Sequence, residues 1–418
     1  MHSDVMSQNK MIEQENKPWD IVILGGGING LFLANLLASQ TDWRIAVVDP
    51  SLGQEPPLFD ELPTRIVSAL TAQNIAHLST VIDWQALPPS AACTFESLQT
   101  VSHDGFNDEL LFDGHSAGLE PVGEIVDNAA LRRALFLKLQ TTKVTFFAES
   151  YLSHQTIAGG VELILSHSRL FASCCVAADG AFSLVRMVEG FSVSYRDYHQ
   201  SALVCTVRCE KPHQQVARQV FYSNGPLAFL PVNEIQNTAL DSANNSTLCS
   251  IVWTLPSDEA EKMASLPTES FDRFCADAFQ HQLGDVTLVD TRKVFPLFLT
   301  YAKDMVRGRV VLLGDASHHI HPLAGQGLNL GLADAVCLVN QLLLVVPSHR
   351  FHFEPSALLR YQTQRRHTHL AMIAMVELIG RTTAVKNLPF RSLMNGAFRW
   401  LNRSDFLKNR VMHTVNRG

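Results

Sequence analysis

Short apolar runs closed by glycine or an acid recur along the chain: Asp20 to Leu24, Arg44 to Val48, Leu170 to Ala178 and Val310 to Leu313. Runs of this length without polar alternation predict strands buried on both faces, as in a parallel sheet. Leu31 to Ser39 has the length and composition of a helix between the first two. From Tyr195 to about Val289 the texture changes to alternation, with strands expected at Ser201 to Cys209, Gln219 to Tyr222, Leu227 to Val232 and Thr247 to Leu255. Such strands, with no helices between them, predict an antiparallel sheet that packs one face on a core and leaves the other for a ligand. Thr94 to Leu119 reads as a hairpin-rich excursion, Asn233 to Ser246 as a loop insertion and Pro267 to Leu283 as a helix. After Asp334 helices dominate, and Phe390, Leu393, Met394, Ala397, Phe398 and Leu401 share one helical face opposite Arg391, Arg399 and Arg403.

Length and composition narrow this picture only slightly. A chain of 418 residues implies two or three domains, and 46% hydrophobic with 17% charged residues excludes disorder or a fibre. The net charge of −7 argues against general nucleic-acid binding. It is unevenly spread: residues 350–418 carry 12 Lys+Arg against 3 Asp+Glu, a balance of +9, leaving −16 on the rest. A basic tail of this kind suits an anionic membrane surface or the acidic body of the chain itself. The eight cysteines lack metal-ligand spacing and suggest buried thiols in a reducing compartment, so no metal site is expected. The polar first sixteen residues, with Glu13 and Glu15, are no signal peptide. The uncharged stretch Ile21 to Thr41 is broken by four glycines and Asn29, which favours strand, turn and helix over a membrane span.

Two motifs carry chemistry. Gly25-Gly26-Gly27-Ile28-Asn29-Gly30 follows a strand, opens a helix and is followed by Asp49 at the end of the next strand. In such a fingerprint Gly25 allows the tight turn, Gly27 admits a pyrophosphate, Gly30 lets helix and strand pack, and Asp49 accepts from a ribose. NAD and FAD fit it equally. Arg309 to Gly331 then delivers Gly314 and Asp315 at a strand end and, after Pro322, the pair Gly325 and Gly327 at a helix start. A carboxylate beside free backbone N–H donors suits a ligand bearing both hydroxyls and an electron-rich or anionic group.

This second segment resembles the Gly-Asp-x-x-His…Pro…Gly-x-Gly-x-Asn motif of the FAD-dependent aromatic hydroxylases, and within them the ubiquinone-biosynthesis hydroxylases. The resemblance extends from Trp19 through most of the chain and decides for FAD. It implies that Gly314 and Asp315 meet the ribityl chain, that Pro322 lies beside the isoalloxazine, and that Gly325, Gly327, Leu328 and Asn329 face its pyrimidine end. Arg65, which follows the loop Gly53 to Pro63 at the start of an expected helix, matches an arginine that reaches the FAD phosphates, although the acid two residues earlier is replaced by Pro63. Asp127-Asn128 with Leu131 and Arg132 resembles the Glu-Asn-x-x-Leu segment near the flavin, with Asp for Glu; Asn128 reads equally as a helix cap. Asp179-Gly180-Ala181-Phe182-Ser183-Leu184-Val185-Arg186 resembles a motif of hydroxylases that bind FAD and NAD(P)H; Asp179 is expected to support both cofactors, and Arg186 reads equally as a surface residue. Tyr198-x-Gln200, Gly225 to Ala228 and Val252-Trp253-Thr254 match the quinone-biosynthesis subgroup.

The fold implied is α/β: a discontinuous Rossmann-like FAD domain (17–90, 120–194 and 290–345), an inserted antiparallel-sheet substrate domain (91–119 and 195–289), and a helical C-terminal region (346–418) after a polar tail (1–16). The implied activity is hydroxylation of a polyprenylated phenol with NAD(P)H and O2 through a flavin hydroperoxide. His318 and Pro322 are the candidates nearest the chemistry, with His318 weighted toward a structural hydrogen bond. A cytoplasmic enzyme, peripheral on the inner face of the membrane and in contact with other subunits of a lipid-synthesis complex, suits such a substrate. A flavin halogenase is disfavoured, since Trp19, Trp43, Trp84, Trp253 and Trp400 form no Trp-x-Trp-x-Ile-Pro motif. A flavin-dependent isoprenoid reductase and a non-catalytic subunit remain alternatives.

Overall fold

The computed structural model describes residues 18–58, 62–102, 110–113, 121–222, 224–234, 246–321 and 325–384. The polar tail, Pro322 and the stripe from Phe390 to Leu401 lie outside the described residues. The helices used below are α1 (Ile28–Gln40), α2 (Ala72–Ser79), α3 (Asn128–Gln140), α4 (Leu184–Val188), α5 (Ser257–Ser265), α6 (Thr268–Ala278), α7 (Gln326–Leu343) and α8 (Pro355–Ala384).

The continuous apolar runs do form a parallel sheet. Trp19–Leu24 lies between Ile45–Val48 and Arg169–Ala177, with Ile21 level with Ile45 and Cys174. Thr145–Phe147 extends it on one side and Val310–Leu312 on the other, all in parallel. Both faces are covered, which is why the runs do not alternate. Ile21 and Ile23 face a core shared with α1, α3, α7 and the start of α8, while Val22 and Leu24 face a second core closed by the hairpin Tyr151–Ile157 and Gly160–Leu165. The carboxyl ends of Trp19–Leu24, Arg169–Ala177 and Val310–Leu312 therefore emerge side by side.

A second sheet runs in the order His318–His319, Lys293–Ala302, Val193–Cys209, Leu248–Pro256, Gly225–Pro231, Val216–Tyr222, Ser97–Ser102 and Leu110–Asp113. It is antiparallel as expected, except that Val216–Tyr222 and Ser97–Ser102 run parallel. Lys293–Ala302, expected in the FAD part, is the antiparallel neighbour of Val193–Cys209 and belongs to this sheet. Ala92–Phe95, expected with the substrate part, pairs instead with Gly123–Asp127 in a three-stranded sheet completed by Val67–Thr71. The expected helix at Arg65 is displaced: Ile66 and Val67 favour extended backbone, Val67–Thr71 pairs with Gly123–Asp127, and α2 begins only where Thr71 accepts from Asn74 N. The helix expected at Pro267 to Leu283 is α6, preceded by α5. Together they close one face of the second sheet through Phe271, Cys275 and Phe279.

Candidate active site

The first glycine motif is built by close approach. Gly25 has φ +117, and a Cβ there would lie 2.2 Å from Ala178 O, so the turn is pressed against the neighbouring strand end. A Cβ on Gly30 would lie 2.0 Å from Gly25 O, which lets α1 start directly on the turn. Gly27 is different: it is exposed, caps α1 without any side-chain hydrogen bond, and a Cβ there would meet nothing within 4 Å. That leaves the helix's first N–H groups facing open space, the arrangement that receives a phosphate. Asp49 Oδ2 accepts from Gly26 N at 2.8 Å and Oδ1 from Ser51 N at 2.8 Å. Arg132, on α3, donates from Nε to Gly26 O at 2.8 Å and from Nη2 to Ser51 Oγ at 2.6 Å. Gly25, Gly27, Gly30, Asp49 and Arg132 are thus one cluster, with a cation and a carboxylate flanking an open helix start.

The second and third motifs converge beside it. Gly314 has φ +59, and a Cβ there would lie 2.4 Å from Asn29 Nδ2; one on Gly331 of α7 would lie 2.3 Å from the same atom. Asn29 is wedged between two glycines, a packing role that their sequence context did not suggest. Its Oδ1 is buried without a partner. Asp315 is half-buried, with Oδ2 3.3 Å from His319 Nδ1. Asp179 Oδ2 accepts from Val185 N at 3.2 Å while Oδ1 is buried and unpartnered; burial raises its pKa against hydrogen bonds from Ser183 and Val185. Arg186 is buried rather than on the surface: Nη1 donates to Ala316 O at 2.8 Å and Nη2 to Ala181 O at 2.7 Å, riveting the Asp-Gly turn to the segment after Asp315. Gly325 caps α7 at φ +64 without a side-chain bond, and a Cβ on Gly327 would meet nothing within 4 Å. Leu328 is half-buried. Asn329 offers no side chain to a ligand: Oδ1 accepts from Thr71 N at 3.1 Å and Asn74 Nδ2 at 2.9 Å, and Nδ2 donates to Ala69 O at 2.7 Å. It staples α7 to the strand Val67–Thr71, and only its backbone remains for recognition.

Two expectations change. Arg65 is buried, with Nε 3.3 Å from Asp127 Oδ2, Nη1 donating to Asn233 O at 3.0 Å and Nη2 to Ser90 O. Each of these three nitrogens has a protein acceptor, so the residue joins the three-stranded and antiparallel sheets instead of reaching phosphates. Asp127, not Asn128, caps α3 by accepting from Ala129 N at 2.8 Å and Ala130 N at 3.0 Å; Asn128 Oδ1 is buried without a partner. His318 makes the structural hydrogen bond toward which it was weighted: it is fully buried, with Nε2 2.7 Å from Asp334 Oδ2.

Asp334, which sequence reasoning passed over, is the hub of this region. It is fully buried and also accepts from Arg365 Nε at 2.6 Å, His369 Nε2 at 2.8 Å and Gly314 N at 3.3 Å. Although burial opposes it, His369, His318 and Arg365 hold this carboxylate well below the usual range. His369 is pushed down to about 4, chiefly by burial, so its ring acts as a neutral donor, and Arg365 balances the charge of the acid. The trio His318, Asp334 and His369 has metal-ligand composition, but the carboxylate oxygens already meet Nε2 of both rings and Nε of Arg365, and the arginine occupies the place of a cation.

These residues suit FAD. Two long helices begin uncapped, with open space beside Gly27 on the first and Gly327 on the second, acids stand at strand ends, and buried acceptors on Asn29, Asn128 and Asp179 lack partners. The FAD binding domain family matches residues 144–375. The ubiquinone hydroxylase of Rhodospirillum rubrum is 31% identical over 377 residues, covering 88% of this chain and 82% of that protein. The 3-demethoxyubiquinol 3-hydroxylase of Escherichia coli is 29% identical, covering 95% and 98%. Among solved structures, p-nitrophenol 4-monooxygenase of Pseudomonas putida superposes with a TM-score of 0.75 at 16% identity, covering 96% of this chain and 98% of that one. With the glycine motifs, strand-end acids and relatives in agreement, the chain belongs to the FAD-dependent aromatic hydroxylases, in the family of the ubiquinone-biosynthesis enzymes.

Proposed function

We propose that this enzyme hydroxylates the aromatic ring of a polyprenylated phenol in ubiquinone biosynthesis, with FAD bound, NAD(P)H as reductant and O2 as the oxygen source. The observation that carries it is the likeness to the Rhodospirillum rubrum ubiquinone hydroxylase along 88% of the chain. In this reading the start of α1 at Gly27 takes the pyrophosphate, with Arg132 adding charge, and Asp49 exchanges its bond to Ser51 for a ribose hydroxyl. Asp315 holds the ribityl hydroxyls and the backbone from Gly325 to Asn329 faces the pyrimidine ring. Asp179 and Arg186 fix the turn beside it. Bound FAD supplies the reactive oxygen; the chain positions the substrate and keeps the site dry. The substrate lies against the second sheet on the face opposite α5 and α6. Pro322, which lies outside the described residues, is assigned to the flavin by the motif alone.

No helix among the described residues is long and apolar enough to cross a membrane. We place the enzyme at the inner surface of the membrane, where a polyprenylated substrate resides, held by the basic tail and by other subunits of the pathway. Mass spectrometry of lipid extracts from a deletion strain tests the activity: one hydroxyl-deficient precursor should accumulate and ubiquinone should fall. A normal profile in a strain without a redundant hydroxylase would remove the proposal.

A further inference from the structure

The second sheet has two unlike faces. Leu203, Cys205 and Val207 look into the core with α5 and α6, whereas Ala202, Val204 and Leu297 look the other way, packed by Tyr198 and Val252. At one end of this second face the strand Val193–Cys209 loses register between Asp197 and Gln200, and His199 takes the left-handed φ of 55. A bulge with a strained non-glycine residue re-aims the side chain beside it and is found next to active sites. The side chain here is Tyr198. Its hydroxyl donates to Glu377 Oε1 of α8 at 2.8 Å, and its ring meets that of His321 edge to face, centroids 5.3 Å apart. Arg196 pairs with Glu377 as well and lies 5.3 Å from the Tyr198 ring.

His321 stands six residues after Asp315 and next to Ile320, which packs with Leu330, Met372 and Val376 against Phe221 and Leu299 of the free sheet face. The residue is 5% exposed, and Nδ1 is buried with no hydrogen-bond partner. A polar atom left unmatched inside an apolar frame, at the junction of the second glycine motif and the sheet, is a place kept for a ligand's hydrogen-bonding group.

We propose that His321 accepts the hydrogen bond of the substrate's ring hydroxyl, and that the bulge-aimed Tyr198, fixed by Glu377, holds the imidazole in place for it. The inference rests on the phenol reading above and names the residue that reads the phenol. Burial chiefly pushes the His321 pKa down to about 4, with His319 adding to the effect and Glu377 on α8 opposing it. The ring is therefore a neutral acceptor at working pH and too weak a base to remove a phenol proton near pKa ~10 outright. It keeps the O–H bond intact and oriented, and the hydrogen bond strengthens as the attacked ring loses electron density and the hydroxyl becomes more acidic.

The test uses the FAD-loaded full chain, titrated with a short-chain 2-prenylphenol and with its O-methyl ether, binding being read from the change in flavin absorbance. The wild type should prefer the phenol by about tenfold, the worth of one buried neutral hydrogen bond, without change between pH 6 and 9. His321→Ala should bring the ratio to about one. His321→Asn, whose amide oxygen takes the place of Nδ1, should restore most of it. Flavin content is matched first, and His321→Leu replaces the alanine variant should that lose FAD. An unchanged preference in the apolar variant overturns the role of His321 while leaving the substrate class standing. Equal binding of phenol and ether by the wild type also overturns it. Failure of the wild type to bind either removes the phenol reading, and this inference with it.

Discussion

Asp334→Ala is the most severe single test of how the site is held. The carboxylate accepts from Arg365, His318, His369 and Gly314 N in a fully buried position. Removing it strands an arginine only 7% exposed, and breaking one partner of a buried ion pair costs about 3–5 kcal/mol. Gly314 is held by the same acid, so Asp315 loses its support and FAD should leave with the stability. The expected result is a melting midpoint lower by about 1 °C for each kcal/mol in a chain of this length, with flavin release preceding the change in tryptophan fluorescence. Adding Arg365→Met to Asp334→Ala should recover about 1–3 kcal/mol, because the stranded charge is what costs. If the double variant is as unstable as the sum of the two single ones, the charge-balance account is wrong. The hub also sets an acid limit. His369 at about 4 lies below its ordinary 6.5, so the unfolded chain binds more protons in that interval. Its contribution, about 3 kcal/mol, is complete above pH 6.5 and is lost as pH falls toward 4. The depressed Asp334 adds a loss below its ordinary 3.8. In His369→Phe the slope of the midpoint between pH 6.5 and 4 should be shallower.

Other outcomes follow from single features. Asp315→Ala should lose most of the bound FAD, and equal flavin absorbance in wild type and variant would contradict its assignment to the ribityl chain. Gly314→Ala should lower stability by about 2 kcal/mol or more, since both a positive φ and the 2.4 Å approach to Asn29 oppose a methyl group; Asn29→Ala in the same chain should relieve part of it, as read in urea midpoints. All eight cysteines are buried, and burial pushes Cys93 and Cys174 up to about 12, so a thiol reagent should label fewer than one per chain in the native state and eight after denaturation. In flotation with anionic vesicles, the Arg391→Glu, Arg399→Glu, Arg403→Glu variant should be recovered less than wild type at low salt, and the difference should shrink at high salt.

What the sequence discloses is whatever short-range chemistry dictates. The strand at Asp20 to Leu24, its glycine turn and Asp49 lie within thirty residues, and each is legible because local backbone demands and a period of hydrophobicity decide it. Asp334 could not be read in this way, because its partners stand 16, 31 and 35 residues away on two other elements, the strand His318–His319 and helix α8. Nor could Asn29, whose neighbours Gly314 and Gly331 are glycines for lack of room, a reason that exists only once the chain is folded. Arg65 misled for a related cause: its identity suggested phosphate, while its partners in space, Asp127, Ser90 and Asn233, stand 62, 25 and 168 residues away. The parallel pairing of Ser97–Ser102 with Val216–Tyr222 likewise joins strands more than a hundred residues apart.

Helix α8 has a consequence beyond its contacts. Tyr361 donates to Leu312 O at 3.0 Å, Arg365 and His369 bind the Asp334 hub, Met372 and Val376 close the apolar patch at Ile320, and Glu377 holds Tyr198. Read along the helix, those contacts step from the parallel sheet to the antiparallel one at about 1.5 Å per residue, so α8 works as a ruler laid across the gap between them. A ruler fixes angle as well as length. One residue inserted between His369 and Met372 would turn every later side chain by about 100° and carry Glu377 away from Tyr198 while leaving the hub intact. The spacing between the Asp334 hub beside the second glycine motif and Tyr198 on the antiparallel sheet is thus written in the number of residues of one helix.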